Sequence, residues 1–168
     1  MNTGTVHLIY GPQGAGKSTL AAQLAREHGA VSFSIDEWMK RLYLPDLTPA
    51  TSLEWVLERT RRCEGLIWSV CLQVLPHGTD VVLDLGPLRR EDRQRLRALA
   101  QTAGVAVQAH FVDAQLDERR RRVFGRNQQQ GENSAFAVSP EMFALMEGQF
   151  GLVGRLELAL SRPAQAAS

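Results

Sequence analysis

The sequence of 168 residues predicts a single α/β domain with three layers, α/β/α, around a parallel sheet of four to five strands. Three observations predict this fold class. Apolar strand-like runs alternate with helical patterns along most of the chain, a glycine-rich turn lies between the first strand and the first helix, and two strand-like runs end in aspartate. Such alternation favours parallel strands joined by right-handed crossovers, with helices on both faces of the sheet.

The composition argues against several function classes. Nineteen basic and eighteen acidic residues leave a net charge of +1, so the whole chain has no bias toward nucleic acid or anionic membranes. No apolar run approaches the length of a membrane span, and no secretory leader is evident. Cys63 and Cys71 are expected to be reduced core residues, which is consistent with a cytoplasmic protein. The sequence does not indicate an oligomeric state.

The first strand, Val6 to Tyr10, leads into the stretch "LIYGPQGAGKSTL", residues 8 to 20. Its G-x-x-x-x-G-K-[ST] pattern is that of a phosphate-binding loop, in which backbone N–H groups surround phosphate oxygens. The order of strand, turn and helix supports this interpretation over an unrelated glycine-rich turn. The residues expected to bind the nucleotide phosphates here are Gly11, Gly14, Ala15, Gly16, Lys17, Ser18 and Thr19.

Lys17 and Ser18, which end this loop, have different predicted roles. Lys17 offers an ammonium group that can follow the charge on the β and γ phosphates, and Ser18 offers a hydroxyl to Mg²⁺. The following helix, "KSTLAAQLAREHG", directs the positive end of its dipole toward the same place.

The second strand, "AVSFSID", ends in Asp36 and precedes a short helix, "EWMKRLYL". If this strand is parallel to the first, its carboxyl end places Asp36 at the same edge of the sheet. Asp36 is then a candidate general base that accepts the proton of an acceptor hydroxyl. The structural alternative is that Asp36 caps the short helix.

Apolar residues recur at steps of three and four from Ser52 to Leu75, which predicts one long amphipathic helix. The next strand, "DVVLDLG" over residues 80 to 86, is nearly all apolar and carries Asp84 toward its carboxyl end. An apolar run before an aspartate, here Val81 to Leu83 before Asp84, is typical of the second nucleotide-binding motif, whose carboxylate holds Mg²⁺. Ser18 and Asp84 are therefore the predicted metal ligands, although buried strands also end in aspartate for turns.

The following helix is predicted at residues 87–104 and the following strand at residues 105–114. The next predicted helix, "QLDERRRRVFGRN", carries an arginine cluster. Arg119, Arg122 and Arg126 have the spacing of one helix face and are expected to close over the phosphates, within a lid region at residues 115–138, whereas Arg120 and Arg121 are expected to point elsewhere. A solvated basic face or nucleic-acid binding would explain the same cluster. Residues 125–136 are predicted to form a mobile loop, followed by a helix that Ser139 caps, whereas residues 152–160 fit a strand or a helix.

Two absences bear on the ligand. The four histidines, at positions 7, 28, 77 and 110, lack ligand spacing and the cysteines lack C-x-x-C pairing, so a zinc site is not expected. The chain also has no Asn-Lys-x-Asp stretch of the kind that binds guanine, which favours ATP over GTP.

These motifs resemble the small P-loop kinases related to adenylate kinase, and within them the AAA_33-type ATP-binding family that is similar to zeta toxin, chloramphenicol phosphotransferase and polynucleotide 5′-kinase. The resemblance covers about Val6 to Phe150 and rests on four stretches: "GPQGAGKST", "SFSIDEWMKRLY", "DVVLDLGPLRREDRQRLRALA" and "RRRRVFGRN…VSPEMF". It implies an adenylate-kinase-like P-loop NTPase fold that spans residues 1–168 as one kinase domain. It also implies that Lys17 and Ser18 bind phosphate and Mg²⁺, that Asp36 activates the acceptor, and that Arg122 and Arg126 belong to the lid.

The expected activity is transfer of the γ-phosphoryl group of ATP, with Mg²⁺, to a hydroxyl of a small molecule. The acceptor is expected between the Asp36 helix and the long helix, where Trp38, Tyr43 and Trp55 could stack on a ring and Arg59 or Arg62 could bind an anionic group. Ordinary packing would explain these residues equally well. The alternative functions are a polynucleotide 5′-hydroxyl kinase and an ATP-binding switch that phosphorylates no acceptor.

Overall fold

The computed structural model describes residues 2–48, 50–86, 89–130 and 138–147, which form a parallel sheet covered by helices on both faces. The strand order is β2-β3-β1-β4, and all three strand pairs are parallel. The strands are β1 (Val6–Tyr10), β2 (Val31–Ser34), β3 (Val81–Asp84) and β4 (Val107–Phe111). This arrangement confirms the predicted α/β/α fold class, whereas the undecided segment 152–160 lies outside the described residues.

Six α-helices connect or follow these strands in the described part of the chain. They are α1 (Lys17–His28), α2 (Ile35–Tyr43), α3 (Leu53–Val74), α4 (Arg90–Thr102), α5 (Leu116–Gln130) and α6 (residues 140–147). The helix predicted from Ser52 is confirmed as α3, and the Ser52 hydroxyl caps it by accepting from the Trp55 N–H at 3.2 Å.

Alternation along the strands determines which helices cover each face. Leu8 and Leu83 pack into the larger core cluster with residues of α2, α3 and α4. Ile9, which follows Leu8, and Val82, which precedes Leu83, pack with Ala21 and Leu24 of α1 on the opposite face. Strands buried on both faces are continuously apolar, which is why these runs do not alternate with polar residues.

The strand register brings the carboxyl ends together. Ile9 of β1 and Ser34 of β2 both pair with Asp84 of β3. The glycine-rich turn after β1, the start of α2 after β2, and Asp84 therefore lie at one edge of the sheet, where open α/β sheets bind ligands.

The two cysteines are buried and free, as predicted from their spacing. Both lie on the face of α3 that packs against the sheet, in the larger core cluster. Burial raises the pKa of the Cys71 thiol to about 12. Such a thiol is a small core residue and not a reactive nucleophile.

Two predicted boundaries are wrong. Asp36 does not end β2, because β2 ends at Ser34 and Asp36 lies in the first turn of α2. Ser34 caps that helix by accepting from the Glu37 N–H at 3.3 Å, so Asp36 is not the cap either. Residues 125–130 continue α5 instead of forming a loop, since a glutamine run is compatible with a helix. Residues 131–136 of the predicted loop lie outside the described residues.

The predicted helix after Ser139 is confirmed as α6. The Ser139 hydroxyl accepts from the Met142 N–H at 3.1 Å, which is the contact expected of an N-terminal cap. Among the described residues, the helices include none with the length and apolarity needed to cross a membrane.

Candidate functional site

The loop between β1 and α1 depends on two glycines where other chain segments approach it. A Cβ at Gly11 would lie 2.0 Å from the Val112 carbonyl oxygen, and one at Gly14 would lie 2.7 Å from the Arg119 carbonyl oxygen. Gly14 also has a φ of +77°, which side chains rarely adopt. The sequence motif suggested backbone freedom as the reason for these glycines, and the structure adds close packing against the residue that follows β4 and against α5.

Lys17 lies at the start of α1, inside the curve of the loop. Its ammonium donates to the carbonyl oxygens of Gly11 at 3.1 Å and Pro12 at 3.0 Å, so one of its three protons remains for a phosphate oxygen. Burial lowers the pKa of this ammonium, an effect that the charges of Asp84 and Asp36 oppose. These two carboxylates therefore help to keep the group cationic beside the phosphate site.

Ser18 and Asp84 are in direct contact, although 66 residues separate them in the chain. The Ser18 hydroxyl donates to Oδ2 of Asp84 at 3.0 Å, and Asp84 is only 6% exposed. Burial raises the pKa of this carboxyl, while the Ser18 hydrogen bond and the charge of Lys17 lower it. A hydroxyl and a carboxylate at the edge of a phosphate loop fit Mg²⁺, which prefers oxygen ligands and combines few carboxylates with substrate phosphates.

An open cavity of about 890 Å³ lies above the loop. All residues predicted to bind the phosphates except Gly11 and Arg119 line it, and Asp36 and Asp84 line it as well. Sequence reasoning missed four polar residues of this lining: Gln13, Gln23, Arg121 and Gln129. Arg121 was expected to point away from the phosphates. Its place in the cavity lining depends on the path of α5 across the loop, which the sequence does not show.

The three arginines expected on one lid face separate into two groups. Arg122 donates to the Gly14 carbonyl oxygen at 3.1 Å and pairs with Glu118, and Arg126 lines the cavity one turn further along α5. Arg119 instead lies outside the cavity lining and is 6% exposed. The expectation that all three face the phosphates is therefore corrected.

Arg119 turns away because carboxylates from two other segments surround it. Its guanidinium binds both carboxylate oxygens of Glu147, and its Nε donates to the Ala114 carbonyl at 3.0 Å and lies 3.6 Å from Asp113. Glu147 ends the segment 138–147. At the other end of this segment, Asn127 of α5 makes two hydrogen bonds with the backbone of Val138, at 2.8 and 3.1 Å. These contacts hold residues 138–147 against α5.

Replacing Arg119 by methionine is expected to lower the free energy of unfolding by about 1.5–3 kcal/mol, because charge-assisted hydrogen bonds to a partly buried carboxylate are lost. Urea unfolding followed by circular dichroism measures this change. The matched control is Arg97→Met, since Arg97 is exposed on α4 and its loss should change stability by no more than about 0.5 kcal/mol. Equal stability of the two variants would contradict the assignment of Arg119 to a structural ion pair.

A second cavity, of about 320 Å³, adjoins the first and is lined by residues of α2, α3, α5 and the segment 138–147. The acceptor was expected between α2 and α3, which both contribute to this lining. Five residues line both cavities: Gln13, Asp36, Gly86, Arg126 and Met146. Asp36 is exposed at this junction, although it lies in the first turn of α2 instead of at the end of a strand. Lys40 also lines the second cavity, whereas Arg41 pairs with Glu37 on the exposed side of α2.

The aromatic residues proposed for acceptor stacking lie elsewhere. Trp38 packs edge-on against Phe33, and Tyr43 packs edge-on against Trp55 with ring centroids 5.8 Å apart. The Arg59 guanidinium lies 3.6 Å from the centroid of the Trp55 ring. Packing therefore accounts for these side chains, and the described lining of the second cavity is instead mainly aliphatic, with Met39, Met142 and Met146.

Solved structures support the fold. The chain resembles a protein of Chloroflexus aurantiacus described as a candidate kinase, with 21% identity, a TM-score of 0.69, and 87% of this chain and 76% of that chain covered. It also resembles a chain of the Pnkp1/Rnl/Hen1 RNA repair complex, with 16% identity, a TM-score of 0.69, and coverage of 93% and 47%. The third example is the APS kinase CysC of Mycobacterium tuberculosis in complex with AMPPNP and APS, with 22% identity, a TM-score of 0.53, and coverage of 81% and 79%.

The family comparison covers most of the chain. No curated protein matches the sequence, but the family model described as an AAA domain, AAA_33, matches residues 6–152. This range contains the phosphate loop, Asp36, Asp84 and the arginines of α5. The match agrees with a parallel sheet whose phosphate loop joins β1 to α1, and the chain therefore belongs to the AAA_33 family of P-loop AAA domains.

Proposed function

We propose that this protein is an ATP- and Mg²⁺-dependent kinase that phosphorylates a hydroxyl of a small molecule. The observation that carries the proposal is the junction of the two cavities. Asp36 lines both the cavity above the phosphate loop and the smaller cavity beside it. A carboxylate at such a junction lies between a phosphoryl donor on one side and an acceptor on the other.

The donor is held by the loop between β1 and α1. Backbone N–H groups and the Lys17 ammonium bind the β and γ phosphates, and the dipole of α1 favours their negative charge. Ser18 and Asp84 would hold Mg²⁺, which supplies charge neutralisation on the phosphates when bound. Arg121, Arg122 and Arg126 of α5 line the same cavity and add cationic groups to it.

The acceptor hydroxyl lies in the smaller cavity in this mechanism. Asp36 accepts the hydroxyl proton, the oxygen forms a bond to the γ-phosphorus, and the bond to the bridging oxygen of ADP breaks. Arg126 lines both cavities and can balance negative charge as it develops on the transferred group. Val138, Met142 and Met146 line the smaller cavity, and in this mechanism their segment, which is hydrogen-bonded to α5, limits access of water that would otherwise compete as acceptor.

The chemistry of the smaller cavity favours a compact acceptor with an apolar body. Its described lining has three charged side chains, those of Asp36, Lys40 and Arg126, among residues that are mainly aliphatic or methionine. The Gln13 amide oxygen is buried and has no hydrogen-bond partner among the described residues. A buried acceptor group of this kind is expected to receive a hydrogen bond, and a ligand hydroxyl or amine would supply one.

The test is transfer of labelled phosphate from ATP to a panel of metabolites, nucleosides, hydroxylated antibiotics and 5′-hydroxyl oligonucleotides. We expect a labelled small molecule that forms only when Mg²⁺ is present. We also expect little ATP hydrolysis when no acceptor is present. Labelling of the oligonucleotides would favour the polynucleotide 5′-kinase. Fast hydrolysis that no acceptor changes would contradict the kinase and favour the nucleotide-binding switch.

A further inference from the structure

Three histidines and one aspartate that are distant in the sequence meet on the α1 side of the sheet, where His7, His28 and Asp80 lie near the amino ends of β1 and β3 and His110 approaches from β4. His7 is on β1, His28 is in the last turn of α1, His110 is on β4, and Asp80 directly precedes β3. His28 is separated from Lys17 by most of α1, about 16 Å at 1.5 Å per residue. The cluster is therefore independent of the proposed kinase site.

Three of these side chains present ligand atoms to one point. The ligand atoms of His7, His28 and Asp80 all lie within 4.8 Å of one another. His7 Nε2 is 3.2 Å from Oδ2 of Asp80, and His28 Nδ1 is 3.6 Å from the same oxygen. Two imidazole nitrogens and one carboxylate oxygen form a donor set typical of Zn²⁺ and other divalent transition metals.

The outer contacts of the cluster orient these donors. His7 Nδ1 lies 3.1 Å from His110 Nε2, so His7 can donate there and keep Nε2 free as a ligand. The Thr5 N–H donates to Oδ1 of Asp80 at 2.7 Å, which leaves Oδ2 directed at the histidines. Hydrogen bonds that fix the ring of a ligating histidine and the direction of a ligating carboxylate are the usual outer shell of a protein metal site.

The burial of the three donors also suits a metal ion. His7 is 1% exposed, whereas Asp80 and His28 are 22% and 40% exposed at the side-chain level. One ligand is thus fixed in the core, and the other two border solvent and give an ion a route of entry. Three protein ligands with one side open leave a coordination position for water.

We propose that His7, His28 and Asp80 form a binding site for one divalent transition-metal ion, with Zn²⁺ as the best match. His110 is a positioning residue that acts through His7. The ion would connect β1, the end of α1 and the start of β3, so its binding stabilises the folded chain.

The test uses full-length protein without a histidine tag, stripped with a chelator and dialysed. Zn²⁺ is titrated against a chromophoric competing chelator, and Co²⁺ is added separately to observe its visible absorption. We expect one ion per chain, intense Co²⁺ bands typical of low coordination number, and a rise in melting temperature with Zn²⁺. His28→Gln should weaken Zn²⁺ binding by at least about tenfold and remove the rise, and His110→Leu should weaken binding by about 10–100-fold.

The matched control is His77→Gln, because His77 is an exposed histidine outside the cluster. His28 is also partly exposed, so its variant should fold, and circular dichroism checks this. A second control, Ser18→Ala, separates the cluster from divalent binding at the phosphate loop and should leave the Zn²⁺ affinity unchanged. Absence of stoichiometric binding, or equal affinity in His28→Gln and His77→Gln, would overturn the proposal.

Discussion

Replacing Asp36 by asparagine is expected to lower kcat for phosphoryl transfer by about 10²–10⁴-fold, the usual contribution of a positioned general base. Asparagine keeps the shape of the side chain and removes its negative charge, and with it the ability to accept the acceptor proton. Nucleotide affinity should change little, because Asp36 contacts the junction of the cavities and not the loop backbone. Steady-state kinetics with the identified acceptor, together with a nucleotide binding titration, measures both quantities.

Two comparisons sharpen this result. Asp36→Glu retains a carboxylate and should preserve part of the activity, whereas Asp46→Asn should leave kcat unchanged because Asp46 is exposed and lines neither cavity. If Asp36→Asn retained kcat within an order of magnitude of wild type, Asp36 would not be the base. The proposed mechanism would then need another proton acceptor at the junction.

Replacing Lys17 by alanine is expected to reduce kcat by about 10²–10³-fold, the cost of removing one preorganised group that stabilises charge in the transition state. In contrast to Asp36→Asn, this variant should also weaken ATP binding, because the ammonium faces the phosphates in the ground state as well. Measured kcat and KM for ATP, with folding checked by thermal unfolding, separate the two effects.

The only other lysine of the chain provides a matched comparison. Lys40 lines the acceptor cavity but not the larger cavity above the loop, so Lys40→Ala should raise KM for the acceptor and leave ATP binding unchanged. Unaltered ATP binding and turnover in Lys17→Ala would contradict the assignment of this residue to the phosphates. A loss of ATP binding in Lys40→Ala would contradict the separation of the two cavities.

The phosphate loop was predictable because its function depends on local geometry. Glycines, a lysine and a serine at fixed spacing determine the path of a few backbone units, and the preceding apolar run and following helix determine where that path lies. The bounds of β1 and the start of α1 agree with this prediction. The contact between Ser18 and Asp84 follows in turn, because the carboxyl ends of neighbouring parallel strands meet at one edge.

The positions of the arginines of α5 could be predicted from the sequence only in part. Helical spacing correctly groups residues that share a face, but it cannot say which neighbours approach that face. The spacing of Arg119 and Arg122 is that of two residues on one helix face. The guanidinium of Arg119 nevertheless pairs with Glu147 and Asp113 instead of facing the phosphates. Arg121, expected to point away, lines the cavity instead. The packing of α5 across the loop decides both outcomes.

The sequence alone therefore determined the fold class, the glycine-rich phosphate loop, and the place of two aspartates beside it, since each depends on short-range pattern and on the geometry of parallel strands. Asp84 is on a strand, and Asp36 follows one within two residues. Only the tertiary structure decided the partner of Arg119, the shared lining of the two cavities and the meeting of the histidines with Asp80. His7 is 73 residues from Asp80 and 103 from His110, and spacing rules for metal ligands within one segment do not reach such distances. Side-chain contacts of this kind arise when the sheet aligns its strands, so they are properties of the packed fold and not of any segment.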